Sequence, residues 1–184
     1  MLTDADQVVW PTEFSCTLIT DNLILPNLYN ITISVEPIGL PVANIGLGFR
    51  KVRQFVDEYL NNSIIICSDN PLLESLKKMD SNIVHLPSDP YDFYVGCVLF
   101  AKLLKITEKY FHISHFTIDS IVGDRVQYSI LHPEESGLDL EGDYWWNTDS
   151  VNTGSGDTTS WEDLNISDGP RFEPRIVKGG LSET

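Results

Sequence analysis

Two stretches of this chain use the same device. Ile64–Cys67 is a continuous apolar run of strand length, closed by Ser68-Asp69-Asn70-Pro71 and followed by a helical pattern over 71–79. Ile83–Leu86 is a second such run, closed by Pro87-Ser88-Asp89-Pro90 and followed by a longer helical pattern over 90–106. An apolar run that short, without alternation, suits a strand buried on both faces. An aspartate followed by proline suits the start of a helix, where a carboxylate can cap free N–H groups and proline has no N–H to lose. Strands near 63–67 and 82–86 joined through helices imply a sheet that is at least partly parallel. The second helix is apolar nearly all round from Phe93 to Phe100, so it belongs at the centre of the core. Lys102, Lys105 and Lys109 sit at its end, where cations suit the helix dipole.

The flanking sequence completes one mixed-sheet domain, α/β or α+β. Phe14–Thr20 and Ile31–Val35 are rich in Thr, Ile and Val and read as strands near 13–20 and 30–36, with turn signals at Asp21-Asn22 and Pro26-Asn27 between them. Phe49, Val52, Val56 and Tyr59 recur at helical spacing and place an amphipathic helix near 47–60. Residues 111–119 and 124–131 read as a hairpin. Its second arm puts Val126, Tyr128 and Ile130 on one face and Arg125, Gln127 and Ser129 on the other.

Composition changes after His132-Pro133. Residues 134–184 hold 12 acidic and 3 basic residues, net −9, whereas residues 1–133 hold 15 and 9, net −6. The expectation is a core over 1–133 and an acidic, largely irregular tail over 134–184. The whole chain carries −15. That field repels phosphate backbones and anionic membrane surfaces and favours a basic protein partner, nucleic-acid-handling proteins among them. The tail also holds Tyr144-Trp145-Trp146 and Trp161-Glu162-Asp163-Leu164. Tryptophan set among acids suits docking on a basic protein with apolar pockets, so Trp145, Trp146, Trp161, Glu162, Asp163 and Leu164 are the candidate binding residues. For Tyr144–Trp146 the competing reading, a last strand packed back on the core, is equally good.

Enzyme-like features are weaker. Asp69, Asp89 and Asp92 stand at strand ends, where α/β folds place ligands, and could together hold Mg²⁺ for phosphohydrolase or nuclease chemistry. Helix capping is the stronger reading of Asp69 and Asp89, and a first-turn position that of Asp92. His112 and His115 are three apart; on a regular strand they point to opposite faces and cannot share a site without a bulge. Gly46 and Gly48, followed by Arg50, Lys51 and Arg53, could open a helix on an anion. They lack phosphate-loop spacing, so an ordinary loop-to-helix start with a basic outer face is favoured. No catalytic set, metal motif or cofactor motif emerges. Cys16, Cys67 and Cys97 each lie in an apolar run and read as buried free thiols. There is no signal peptide pattern and no apolar run of bilayer-spanning length, which points to the cytoplasm.

Leu86-Pro-Ser-Asp-Pro-Tyr-Asp-Phe-Tyr-Val-Gly through Lys102, the hairpin, Tyr144-Trp145-Trp146 and Ser160-Trp161 resemble small acidic proteins of tailed bacteriophages, over about residues 45–165. The resemblance carries no site residues. It implies a product of the infected bacterial cytoplasm, a non-catalytic inhibitor or redirector of a host protein in transcription, nuclease or defence machinery. A phage structural or assembly component is the other expectation.

Overall fold

A computed structural model describes residues 7–21, 23–36, 42–79, 81–142, 144–149 and 176–177. Two strands of thirteen residues form its spine. β1 (Gln7–Ile19) and β2 (Ile24–Glu36) pair antiparallel from Val8↔Val35 to Ile19↔Ile24 with no register shift. β3 (Ser63–Cys67) runs parallel to the end of β1, and β4 (Ile83–Leu86) parallel to β3. β5 (His112–Ser120) pairs antiparallel with β2, and β6 (Tyr128–Ile130) with β5. The order is β4-β3-β1-β2-β5-β6, and β7 (Ile176–Val177) pairs with the start of β1. The expected single mixed-sheet α+β domain is therefore the fold.

The first two strands are longer than their sequence suggests, and prolines explain why. Pro11 precedes the expected first strand and Pro26 falls in the expected turn, yet both lie inside strands. Ser15 directs its N–H to Asn61 Oδ1 (3.1 Å) and its C=O to the Asn62 N–H (2.7 Å), both on the β3 side of β1. Backbone direction alternates along a strand, so Pro11 turns its nitrogen to that same side, beyond the reach of β3. Leu28 accepts from the Ile121 N–H on the β5 side of β2, so Pro26 faces that side too, past the end of β5. Neither proline removes a ladder bond.

α1 (Val42–Gln54) continues as a π-helical stretch, Phe55–Leu60. α2 (Leu73–Leu76) is a single turn. α3 (Asp92–Thr107) is buried nearly all round, as its composition predicts. Phe14, Ile31, Ile33, Phe116 and Ile118 of the sheet meet Phe49, Val52, Val98 and Leu99 of the helices in one core. On the opposite face a small cluster, Ile19, Ile66 and Ile83, is covered by Leu73 of α2. Gly48 lies within α1, not ahead of it. A Cβ there would sit 2.4 Å from the Phe111 ring, so glycine lets α1 close on that ring. The anion-site reading of Gly46 and Gly48 is thus corrected: a helix interior has no free N–H groups to offer. Lys51 is buried with its ammonium over the Tyr110 ring at 4.7 Å, and Arg53 pairs with Asp57 at 3.1 Å.

The composition change at 134 is not a change in packing. Pro133–Ser136 and Trp145–Asn147 are 3₁₀ turns, and Leu140, Trp145 and Trp146 are buried in the same core as α3. Trp146 is 1% exposed, its indole N–H donating to the Leu140 carbonyl at 3.1 Å. Trp145 donates to the His85 carbonyl at 2.9 Å. These two tryptophans pack back on the core, in a 3₁₀ turn and not a strand. Trp146→Ala is expected to cost about 3–5 kcal/mol in urea unfolding. A loss below about 1 kcal/mol would mean that the segment is not part of the folding unit.

Candidate functional site

Residues 133–149 meet α3 and the start of β5 around a cavity of about 440 Å³. Its floor is apolar: Ala101 and Leu104 of α3, Phe111, Pro133 and Leu140. Its rim is charged and exposed: Lys105 from α3 and Glu108 just after it, His112 from β5, and Glu134 and Glu141 from the C-terminal segment. Three glutamates face one lysine there. Asn147 closes the wall by donating to the carbonyls of Leu140 (2.7 Å) and Gly142 (2.8 Å). The volume falls in the range of ordinary ligand pockets, about 300–1,000 Å³.

A buried lysine holds that wall in place. Lys102 is fully buried, and its ammonium donates to the Trp145 carbonyl (2.6 Å), the Thr148 carbonyl (2.8 Å) and Thr148 Oγ1 (3.0 Å). The expectation that Lys102 simply complements the dipole at the end of α3 is corrected: it faces inward and clasps the C-terminal segment. Burial pushes its pKa down to about 7, with the Asp149 carboxylate pulling the other way. At the surface, Lys109 pairs with Asp149 at 2.9 Å.

The candidate aspartates have separate fates. Asp92, 3% exposed, accepts hydrogen bonds from Tyr29 Oη (2.6 Å), Ser120 Oγ (2.6 Å) and the Asp124 N–H (2.7 Å). Gly123 passes so close that a Cβ would lie 2.4 Å from Asp92 Oδ2. Burial, with the Asp92 carboxylate beside it, raises the Tyr29 phenol above its ordinary range and pushes the Cys16 thiol up to about 12. Asp92 therefore ties the start of α3 to β2 and to the β5–β6 loop. Asp69 is exposed and Asp89 half-buried. Neither α2 nor α3 has a side-chain cap, so the capping reading is corrected too. Asn70 does the local work, its Oδ1 accepting from the Leu72 N–H at 3.0 Å. Among the described residues no three His, Cys, Asp or Glu side chains form a group able to hold a metal ion.

His112 and His115 flank the kind of bulge that a shared face would require, so the expectation of opposite faces does not hold for them. A register shift between Ser34 and Val35 breaks the alternation of β5, so that Ile113 and Phe116, three apart, both enter the core. His115 meets Ser129 Oγ at 3.3 Å, while His112 lines the cavity. Trp161, Glu162, Asp163 and Leu164 lie outside the described residues. The cavity residues escaped the sequence reading. Their signal was Leu138 and Leu140 recurring in an acidic stretch just before a tryptophan pair, apolar residues that needed a surface to cover.

No protein-family model matches the chain, and no curated protein matches it in sequence. Among solved structures, it is similar to an uncharacterized protein, WS1659, from Wolinella succinogenes. The TM-score is 0.49 at 12% identity, over 68% of this chain and 97% of that one. It is also similar to 6-pyruvoyltetrahydropterin synthases from Plasmodium vivax (TM-score 0.40, 8% identity, 67% and 95% covered) and Plasmodium falciparum (0.36, 11%, 68% and 97%). Likenesses at this level assign neither activity nor site residues. No helix among the described residues is long and apolar enough to cross a membrane.

Two outcomes are expected. Asp92→Ala leaves two buried hydroxyls without an acceptor and should cost about 3 kcal/mol or more, while millimolar Mg²⁺ should leave the melting temperature of the native chain unchanged; a Mg²⁺-dependent rise that Asp92→Ala removes would restore the metal reading. For Lys102, the unfolded side chain keeps its proton to above pH 10 while the native one gives it up near pH 7. The unfolded state then binds more protons between these values, so stability should rise with pH. From pH 7 to about 8.5, below the ionisation of an ordinary thiol, native stability should climb by on the order of 1 kcal/mol per pH unit. The climb should be absent in Lys102→Met, and an identical slope in both proteins would refute the assignment.

Proposed function

We propose that this is a non-catalytic binding protein whose cavity between α3 and residues 133–147 seats an apolar side chain of a basic protein segment. The observation that carries this reading is the pairing of an apolar floor with a predominantly glutamate rim at the place where the acidic segment meets the core. An apolar group buried on that floor would supply the affinity, at roughly 25 cal/mol per Å² of surface removed from water. The rim would select neighbours of positive charge and reject acidic ones. The net charge of −15 adds long-range steering of a basic partner.

On this reading the partner is a basic host protein, and its capture inhibits or redirects it. On the resemblance to phage proteins, that partner would belong to an infected bacterium. Trp161, Glu162, Asp163 and Leu164 are proposed as a second docking element of the same acidic segment. Phosphohydrolase chemistry using Asp69, Asp89 and Asp92 is the second reading; Asp92 would have to serve it while accepting from three donors.

A synthetic peptide amide of alternating arginine and leucine tests the cavity directly. It should shift the amide resonances of Leu104, Phe111, Leu140 and Asn147, with affinity that falls as salt is raised. Replacing Glu134 and Glu141 together by lysine should weaken it about tenfold or more. Equal binding of a glutamate–leucine peptide, or shifts confined to residues elsewhere, would refute the site.

A further inference from the structure

The rim charges of the cavity are not equivalent. Glu108 is paired with Lys105 at 3.6 Å, and Glu134 with His132 at 3.2 Å. Glu141 has no ion pair or hydrogen bond among the described residues. Its backbone is held on both sides all the same. The Leu140 carbonyl before it accepts from Trp146 Nε1 (3.1 Å) and Asn147 Nδ2 (2.7 Å), and the Gly142 carbonyl after it accepts from the same Nδ2 (2.8 Å). Because Nδ2 is committed to two carbonyls, the orientation of the Asn147 amide is settled. Its Oδ1 is an acceptor with no donor among the described residues. His112 also lines the cavity, and its ring has no partner among the described residues. A carboxylate, an amide oxygen and an imidazole thus border one apolar floor with their hydrogen-bonding capacity unused.

What fits is decided by the order of the groups, apolar below and acceptors above. A lysine or arginine side chain carries its charge at the far end of an apolar stem. Entering the cavity, it would bring that charge onto Ala101, Leu104 and Phe111, where an unpaired ion is strongly disfavoured. The ligand must instead insert an apolar group and keep its cation beside the point where that group leaves the backbone. A cationic neighbour in the sequence can reach the rim, but only on a long flexible side chain that loses rotamer freedom on binding. An α-ammonium sits one bond from the Cα that bears the apolar side chain, so it has little freedom to lose. It also carries three N–H donors, a match for Glu141, Asn147 Oδ1 and a neutral His112. Lys105, the one cation of the rim among the described residues, is engaged by Glu108.

Building on the cavity as the seat of an apolar side chain, we propose that its ligand is the free N-terminus of a polypeptide whose first residue is large and apolar. The side chain lies on the floor, the α-ammonium donates to Glu141 and Asn147 Oδ1 with His112 as third acceptor, and the chain leaves over the exposed rim. An internal segment of the same sequence has an uncharged amide in place of the ammonium, with one donor instead of three, and is discriminated against.

Titration of the full chain with a neutral tetrapeptide amide beginning with leucine tests this, read on the amide resonances of Leu104, Phe111, Leu140 and Asn147. The free amine should bind about tenfold or more tightly than its N-acetyl form. Glu141→Gln should weaken the free amine by about the same factor at an unchanged melting temperature, whereas Glu134→Gln, whose carboxylate is already paired, should alter it by less than about twofold. Free leucine, which adds a carboxylate beside the ammonium, should bind at least about tenfold more weakly than the tetrapeptide at this acidic rim. Equal affinity of the free and acetylated peptides, or undiminished affinity in Glu141→Gln, would overturn the proposal. Free leucine binding as tightly as the tetrapeptide would give the cavity to an amino acid and overturn it as well. Cavity shifts from an N-acetylated arginine–leucine peptide amide, with none from the leucine tetrapeptide, would overturn N-terminal capture and leave the basic-segment reading standing. No cavity shift from any of these ligands would overturn both.

Discussion

The arrangement depends on burying a helix that carries two charged side chains. α3 is enclosed on almost every side, and Asp92 and Lys102 go into the interior with it. An ionised group away from water costs several kcal/mol unless its hydrogen bonds are replaced. Each therefore dictates what surrounds it. Asp92 needs donors, and the phenol of Tyr29, the hydroxyl of Ser120 and the backbone of the β5–β6 loop converge on it. Lys102 needs acceptors, and the carbonyls of Trp145 and Thr148 supply them. One charge fixes the helix to the sheet, and the other fixes the C-terminal segment to the helix.

The second tie has a functional consequence. An acidic segment has little reason to lie on an acidic core, because like charges repel. Buried indoles of Trp145 and Trp146 and three donors from one ammonium overcome that. Held in this way, the segment brings Leu140 and Glu141 opposite Leu104 and Glu108 and creates a cavity that neither part has alone. A site built from a core helix and an appended segment is also one that a change in the appended segment could open.

Long-range character was legible where local signals agreed. The two apolar runs followed by proline-led helices gave β3, β4, α2 and α3, and the composition of α3 announced its central position. What escaped has a common cause, namely that a residue's local preference was overruled by the direction in which it points. Pro26 reads as a turn because a proline inside a strand normally costs a ladder bond, yet it faces a side where no strand lies, as Pro11 does in β1. Lys102 reads as a solvated helix-end cation, although its side chain turns inward. Gly48 reads as loop flexibility but serves close packing against Phe111. The cavity was invisible for a related reason: half of it comes from a stretch whose composition says solvent.

Where the acidity sits decides how it can act. Charge spread evenly over a globular surface screens within about 8–10 Å at physiological salt and discriminates weakly between partners. Here most of the net charge lies in the last quarter of the chain, and the part of it that packs does so around an apolar floor. Positive charge approaching that rim loses less hydration than it would in a closed interior, because the glutamates remain exposed. An apolar neighbour can meanwhile enter the floor and leave water altogether. The two contributions act at different distances: the field gathers basic partners from several ångströms away, and the cavity retains only those that also present an apolar group. Selectivity then comes from requiring both in one ligand, which neither a uniformly acidic surface nor a neutral pocket could impose.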